Sequence, residues 1–429
     1  DGSSRFGGNN KYGFFPSGSV AWRISEEGFM EPVKAVINNL KLRTSYGFTG
    51  NTEIGVYESL ATLGSNSWTI GNQLVSGFYP NRIPNPDLKW EKTGQFDIGF
   101  DLGLFNNRLR LTADYYYKKT TDLLYNVAIP SASGYDSMLK NIGSVQNKGY
   151  ELSIESDNLS GAFSWTTAFN ISFNRNKVLE LGGETYKDVG TYDDHLKTSD
   201  IRRLIVGQPI GVFYGYRFDG IFQNEAECAQ QTSSPSPIGV GLRRYKDLNG
   251  DGKIDATNDR EILGDANPKF FGGMTNTFAY KGFELNVFLQ YSYGNKIFNY
   301  NAMELESPTG GQNVYQDLVN RWTPTNPSNE YQKATTNRNN IVSDRFIEDG
   351  SFLKLKTVSL SYSFPKLNWK HIGGLRLYVT GQNLLTWTKY RGYDPEVSYR
   401  GASTLEAGED FGGYPQARTF MFGIKLDIK

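Results

Sequence analysis

Apolar residues recur at every second position in five long stretches of this chain, and that spacing excludes a helix for each of them. Phe96, Ile98, Phe100, Leu102 and Leu104 alternate with Gln95, Asp97, Gly99, Asp101 and Gly103. Leu109, Leu111, Ala113, Tyr115 and Tyr117 follow after Asn106-Asn107, interleaved with Arg108, Arg110, Thr112 and Asp114. The same rhythm runs from Phe163 to Phe173, from Phe283 to Tyr293 with Phe288 out of phase, and from Phe420 to Ile428. A helix turns residues i, i+2 and i+4 to different sides, whereas a strand puts them on one face.

Segments of this kind predict eleven strands, near 17–25, 39–50, 93–105, 108–120, 147–157, 162–175, 269–280, 283–296, 352–364, 374–388 and 417–428. Most reach the roughly 9–11 residues that a tilted strand needs to cross a bilayer. Short connections at Asn106-Asn107, 157–161, Lys281-Gly282 and 365–373 alternate with long ones at about 51–92, 121–146, 176–268, 297–351 and 389–416. Short turns at one end and long loops at the other are the pattern of outer-membrane barrels, whose long loops face outward. A soluble β-sandwich or propeller also alternates. It does not require the short–long rhythm, nor tyrosines such as Tyr115, Tyr117, Tyr291 and Tyr293 near strand ends. The reading is therefore an all-β transmembrane antiparallel barrel in contact with outer-membrane lipid. An odd strand number leaves edges that lipid cannot satisfy, so these strands belong to a larger wall. Phe96, Ile98, Phe100 and Leu102 are predicted to face lipid, and Asp97, Gly99 and Asp101 the lumen.

Composition narrows the function. Lys plus Arg and Asp plus Glu both number 45, a net charge of zero that argues against nucleic acid as a partner. The one cysteine, Cys228, excludes an intrachain disulfide framework and any multi-thiolate metal site. The two histidines, His195 and His371, lie far apart and read as a loop and a turn residue. No apolar run is long enough for a transmembrane helix, which leaves a barrel open because its strands have ordinary mean hydropathy.

Eight segments in order along the chain resemble the C-terminal half of SusC/RagA-type TonB-dependent outer-membrane transporters. They begin with Phe14-Phe15-Pro16-Ser17 leading to Ala21-Trp22, Asn85-Pro86-Asp87-Leu88-Lys89-Trp90-Glu91, and Asn141 to Glu151 (N-x-G-x-V-x-N-x-G-x-E). Asp247 to Asp255 (DLNGDGKID), Gly264 to Gly273 and Asp349-Gly350-Ser351-Phe352 continue the series. Gly381-Gln382-Asn383-Leu384-Leu385 with Tyr390 and Asp394-Pro395-Glu396, then Gly413-Tyr414-Pro415 to Arg418, complete it. The resemblance implies that residues 1–429 form half of a 22-stranded barrel in the outer membrane of a Gram-negative cell. It further implies active import of a glycan or peptide with a SusD-like surface lipoprotein. Neither the plug nor the TonB box of that family has a counterpart in this chain. Contact with TonB is therefore expected through a missing N-terminal region, which would also supply the plug and the remaining strands. The alternative is a structural or adhesion barrel whose long loops bind other surface proteins.

One motif carries metal chemistry. Asp247, Asn249, Asp251, Lys253 and Asp255 fall at positions 1, 3, 5, 7 and 9 of an EF-hand-like loop, with Gly252 at the turn. Oxygen at alternate positions, including the Lys253 carbonyl, suits a structural Ca²⁺ ion. Position 12 is Asn258, and Asp259 follows one residue late. The same residues also read as an Asx-stabilised turn without metal. No nucleophile elbow, zinc motif, phosphate loop or dinucleotide fingerprint occurs, so no enzyme is expected. Trp68, Trp322 and Trp387 fall in or beside outer loops, where they could stack on sugars or peptides, but are read as packing at the membrane surface.

Overall fold

The computed structural model describes residues 1–7, 10–52, 54–129, 131–133, 135, 137–190, 201–307, 313–336, 340–364, 372–401 and 403–428. Eleven strands form one sheet in sequence order. They are β1 (Ser17–Arg23), β2 (Ile37–Asn51), β3 (Glu91–Leu104), β4 (Leu109–Thr121), β5 (Ser144–Leu159) and β6 (Phe163–Glu180). The series continues with β7 (Phe270–Tyr280), β8 (Phe283–Tyr293), β9 (Phe352–Ser363), β10 (Ile372–Thr388) and β11 (Thr419–Ile428). The registers described across it are antiparallel, as in Thr44↔Ile98 between β2 and β3 and Leu377↔Ile424 between β10 and β11. All eleven expected strands are present, with ends shifted by a few residues.

The turns explain the register. Lys281 and Gly282 both have positive φ, 45° and 87°, as a two-residue hairpin with the strand twist requires. The Asn106-Asn107 connection is wider than the two residues expected. It spans Phe105 to Arg108, with Phe105, Asn106 and Asn107 all in the left-handed region. The Asn38 side chain accepts from the N–H groups of Asn106 and Asn107, a local bond that stabilises this conformation. Phe288, out of phase in the sequence, sits at an irregularity where Phe288 pairs with Thr357 and Leu289 with Leu355. The extra residue is Lys356 of β9, which moves the apolar phase of that strand from Leu353 and Leu355 to Val358 and Leu360, while the phase of β8 runs through unchanged. The 365–371 turn and both histidines lie outside the described residues.

Contacts divide the residues into two compact units. The first comprises Asp1–Asn107, Leu111–Glu151 and Arg175–Tyr186; the second comprises Arg108–Arg110, Leu152–Asn174 and Lys187–Lys429. In the first, the 51–92 connection is not plain loop. Thr62–Ile70 and Gln73–Arg82 form a hairpin about Gly71-Asn72, both with positive φ. Leu124–Ala128 and Ser137–Asn141 form another within 121–146. Phe6, Ile54 and Leu88 make a small buried cluster beneath Trp90.

The 176–268 segment, in the second unit from Lys187 onward, carries regular structure that alternation does not reveal. Tyr186–Val189, Arg202–Ile205, Val212–Tyr216 and Arg260–Asp265 build a four-stranded sheet, and Phe218–Ile221 pairs with Arg243–Tyr245. Strands of three to six residues are too short to establish a period. Ile201, Phe213, Phe298, Tyr300, Met303 and Phe346 form the unit's main buried cluster, drawn entirely from segments between the sheet strands. The sheet strands show the opposite distribution. Ile98, Leu360, Leu377 and Ile424 are all exposed although apolar, Ile424 at 68%. Apolar exposure in one phase, repeated along a sheet, is what a lipid solvent permits.

Candidate functional site

The polar phase of the first unit gathers charge. Arg43 on β2 reaches Asp101 of β3 at 3.2 Å and Asp114 of β4 at 2.9 Å. Asp97 accepts from the Ser45 hydroxyl and the Gln95 amide. These groups line a cavity of about 240 Å³ that Gly99 and Val20 also border. Gly99 is tightly enclosed, since a Cβ there would meet the Asp114 carboxylate at 2.0 Å. The two phases separate as expected: Phe96, Ile98 and Phe100 are exposed and Leu102 half-buried on the apolar side, while Asp97 and Asp101 join this network.

In the second unit, ion pairs tie long connections to the sheet and to each other. Lys354 of β9 is almost fully buried and its ammonium lies 2.6 Å from both Asp394 and Glu396. Glu396 also accepts from Lys356 at 3.1 Å and from the Gln290 amide at 2.9 Å. Burial pushes both carboxyls up, but the lysine bonds outweigh it and hold them below the usual carboxylate range. Arg202 and Glu409, both buried, pair at 3.0 Å, and Arg202 also donates to the carbonyls of Gly211 and Ala407. Burial raises the Glu409 carboxyl against the pull of Arg202. Glu306, also buried, receives Arg345 at 2.8 Å and Arg391 at 3.0 Å. Tyr390 donates its hydroxyl to Asp410.

None of these anchors was singled out in the sequence as a site. Asp394 and Glu396 were visible only as part of a motif. The available signal for Lys354 was its place in the polar phase of a strand otherwise rich in Leu, Val and Tyr.

The Asp247–Asp259 segment is compact and held by its own amides. The two Asp247 carboxylate oxygens accept from the N–H groups of Gly250 and Gly252. Asn249 accepts from Asp251 N–H, and Asp251 from Lys253 N–H. Asp255 caps Thr257 and Asn258, while buried Asp259 bridges the N–H groups of Leu248 and Asp255 at 2.8 Å each. These amides hold the Asp247 and Asp255 carboxyls below their usual range. Among the described residues, no three acidic, histidine or cysteine side chains converge as a metal-binding group. The Asx geometry is thus in place, and a cation here would require the carboxylates to turn toward a common centre.

The remaining candidates separate. Trp68 is exposed on the Thr62–Ile70 strand, and Trp322 donates its indole N–H to Gln223. Trp387 is half-exposed at the long-loop end of β10. Cys228 is buried in a single helical turn, and burial pushes its thiol up.

An eleven-stranded sheet with an exposed apolar phase, a charged opposite phase and long structured connections at one end defines an outer-membrane β-barrel. The family described as "TonB dependent receptor-like, beta-barrel" matches residues 1–225, and the chain belongs to it. TonB-dependent receptor P3 of Formosa agariphila is 42% identical over 99% of this chain and 43% of its own length. TonB-dependent receptor SusC of Bacteroides thetaiotaomicron is 31% identical over 100% of this chain and 41% of its own length. The structure of the RagAB peptide transporter superposes with a TM-score of 0.82 at 28% identity, covering 99% of this chain and 44% of that one. The chain therefore spans less than half the length of the relatives it matches. As in those relatives, its place is the outer membrane of a Gram-negative cell.

Proposed function

We propose that this chain is the C-terminal part of an active importer. In this reading its eleven strands join others of the same protein in one larger barrel, which also holds the plug. Energy would come from TonB acting on the segment that this chain lacks. The cargo would be a glycan or peptide too large for passive diffusion. The observation that carries the reading is the likeness to the RagAB peptide transporter, which runs through strands and long connections alike. Support also comes from the buried ion pairs, which hold the long connections in defined positions rather than leaving them as solvated coil. Such a surface suits capping by a SusD-like surface lipoprotein.

The test is deletion of the full-length gene in its native host, with complementation. Loss of growth on oligosaccharide or peptide as sole carbon source, restored by the intact gene and not by one lacking its TonB-contacting segment, supports import. Unchanged growth on every such source, together with lost surface attachment, would favour an adhesion barrel instead.

A further inference from the structure

At the long-loop end of β7 to β10 a cavity of about 560 Å³ is bordered by Tyr291, Leu353 and Trp387 of the apolar phase and by Ser292, Phe352 and Thr388 of the other. That volume lies within the range of roughly 300–1,000 Å³ typical of ligand pockets. Next to the lining residues Phe270 and Tyr291, Gly272 stands opposite Tyr291 with no side chain of its own. A Cβ at Gly272 would meet the Asn170 carbonyl at 2.1 Å and the Tyr291 hydroxyl at 2.7 Å. The Tyr291 hydroxyl instead donates to that carbonyl at 2.7 Å, which draws its ring toward β6. Phe270 and Tyr293 stack on one another at 5.0 Å, and Leu353 and Trp387 pair directly across β9 and β10. Tyr293 and Trp387 are each about half exposed.

The rim is charged. Asp349 is occupied by Ser351, which donates both its hydroxyl and its N–H. Lys389 lines the cavity on the same rim as Asp349. Lys389, two residues past Trp387, forms no salt bridge among the described residues.

We propose that this groove is a binding site for one phospholipid of net negative charge in the outer leaflet. An acyl chain would lie between Tyr291, Tyr293, Leu353 and Trp387, with the phosphate at Lys389. The apolar row of Tyr291, Leu353 and Trp387 favours an acyl chain over a sugar or peptide cargo. Tyr291, Leu353 and Trp387 share a face with Leu289, Leu355 and Leu385, whereas the lumenal neighbours Gln290 and Lys354 are engaged by Glu396. Tyrosine and tryptophan belong at the depth where acyl chains meet headgroups. A lysine near an anionic membrane surface contributes about 1 kcal/mol, or roughly fivefold in affinity. The proposal rests on the membrane location and is independent of what the barrel carries.

Native mass spectrometry of the full-length protein, relipidated with palmitoyl-oleoyl phosphatidylglycerol or phosphatidylcholine, tests it. The unmutated protein is expected to retain one phosphatidylglycerol in preference to phosphatidylcholine. Lys389→Glu should reduce that preference by roughly fivefold or more. Trp387→Ala should weaken retention of both lipids. Lys281→Glu, at the short-turn end, should change neither. Brominated phosphatidylglycerol should quench more fluorescence in the unmutated protein than in Trp387→Phe, giving a second reading on folded samples. Equal retention of the two lipids, or the same effect from Lys389→Glu and Lys281→Glu, would overturn the assignment.

Discussion

Lys354 on β9 and Asp394 in the connection after β10 face each other at 2.6 Å, both nearly removed from solvent. Glu396 closes the arrangement from the same connection, so one buried ammonium holds two carboxylates of a segment beyond the sheet. Removing one member of a buried pair leaves an uncompensated charge and typically costs about 3–5 kcal/mol. Lys354→Met is therefore expected to release the 389–416 connection, seen as new protease cleavage there, and to lower the unfolding temperature. The pH dependence follows from the depressed carboxyls. Their contribution is fully present above the unfolded carboxylate value near 4. It is lost as pH falls through the lower folded values of Asp394 and Glu396. Protease protection of this connection should accordingly fade in acid for the unmutated protein, and already be absent at neutral pH in Lys354→Met.

The phase of β3 gives a second prediction. Ile98 is exposed on the apolar face, and a charge at the bilayer midplane on that side costs roughly 2–4 kcal/mol. Ile98→Arg should impair the yield of folded, heat-modifiable barrel. Gly99→Arg, though lumenal by phase, is a poor control because even a Cβ there strikes Asp114. Gln95→Arg is better, since its guanidinium can take over the bonds that Gln95 makes to Asp97. Equal losses from Ile98→Arg and Gln95→Arg would count against the assignment.

The sheet is legible in the sequence because lipid and lumen impose a period of two on its strands, most of which run for ten or more residues. What lay between the strands was legible only in part. Gly71-Asn72 is a hairpin turn pair, yet its flanks mix Leu, Ser, Trp and Thr without clear alternation, so the Thr62–Arg82 hairpin passed as loop. Arg202 and Glu409 are separated by 207 positions, and nothing in either neighbourhood announces the other. Buried ion pairs between distant connections follow from the tertiary arrangement, which local spacing does not encode. The aspartates of 247–259 are visible as a motif for the converse reason, since their amide partners lie within eleven residues and most within five.

The sheet's ends carry a third prediction. Among the described residues, β1 pairs with β2 alone and β11 with β10 alone. Both edges are largely exposed along their length, and unpaired backbone groups are not tolerated in hydrocarbon. Residues 1–429 expressed alone should not form a stable conducting monomer in planar bilayers. Co-expression with the remainder of the protein should restore heat-modifiable migration. A discrete, long-lived conductance from the isolated chain would show that these edges close on each other.

The Asp247–Asp259 turn supports the last prediction. Asp259 is buried and joins Leu248 to Asp255 through two N–H bonds, whereas exposed Asp251 receives one from Lys253. Asp259→Ala strands two amides and should increase cleavage between residues 246 and 260 more than Asp251→Ala does. Acid should loosen the same turn. Asp247 and Asp255 are held below their usual range by loop amides, so their contribution persists above the ordinary carboxylate value and is lost as pH falls through the depressed one. Calcium is the second arm. An ionised carboxylate has about four lone-pair sites, so amides at Asp247, Asp251 and Asp255 leave acceptor capacity for a cation. Calcium held by these three, with Asn249, the Lys253 carbonyl and Asp259, should further protect the 225–265 region and relieve repulsion among the carboxylates. Digestion of the unmutated protein in calcium and in chelator decides between the two supports. Stronger protection in calcium adds an ion to the turn, and identical patterns leave the amide bonds as its whole support.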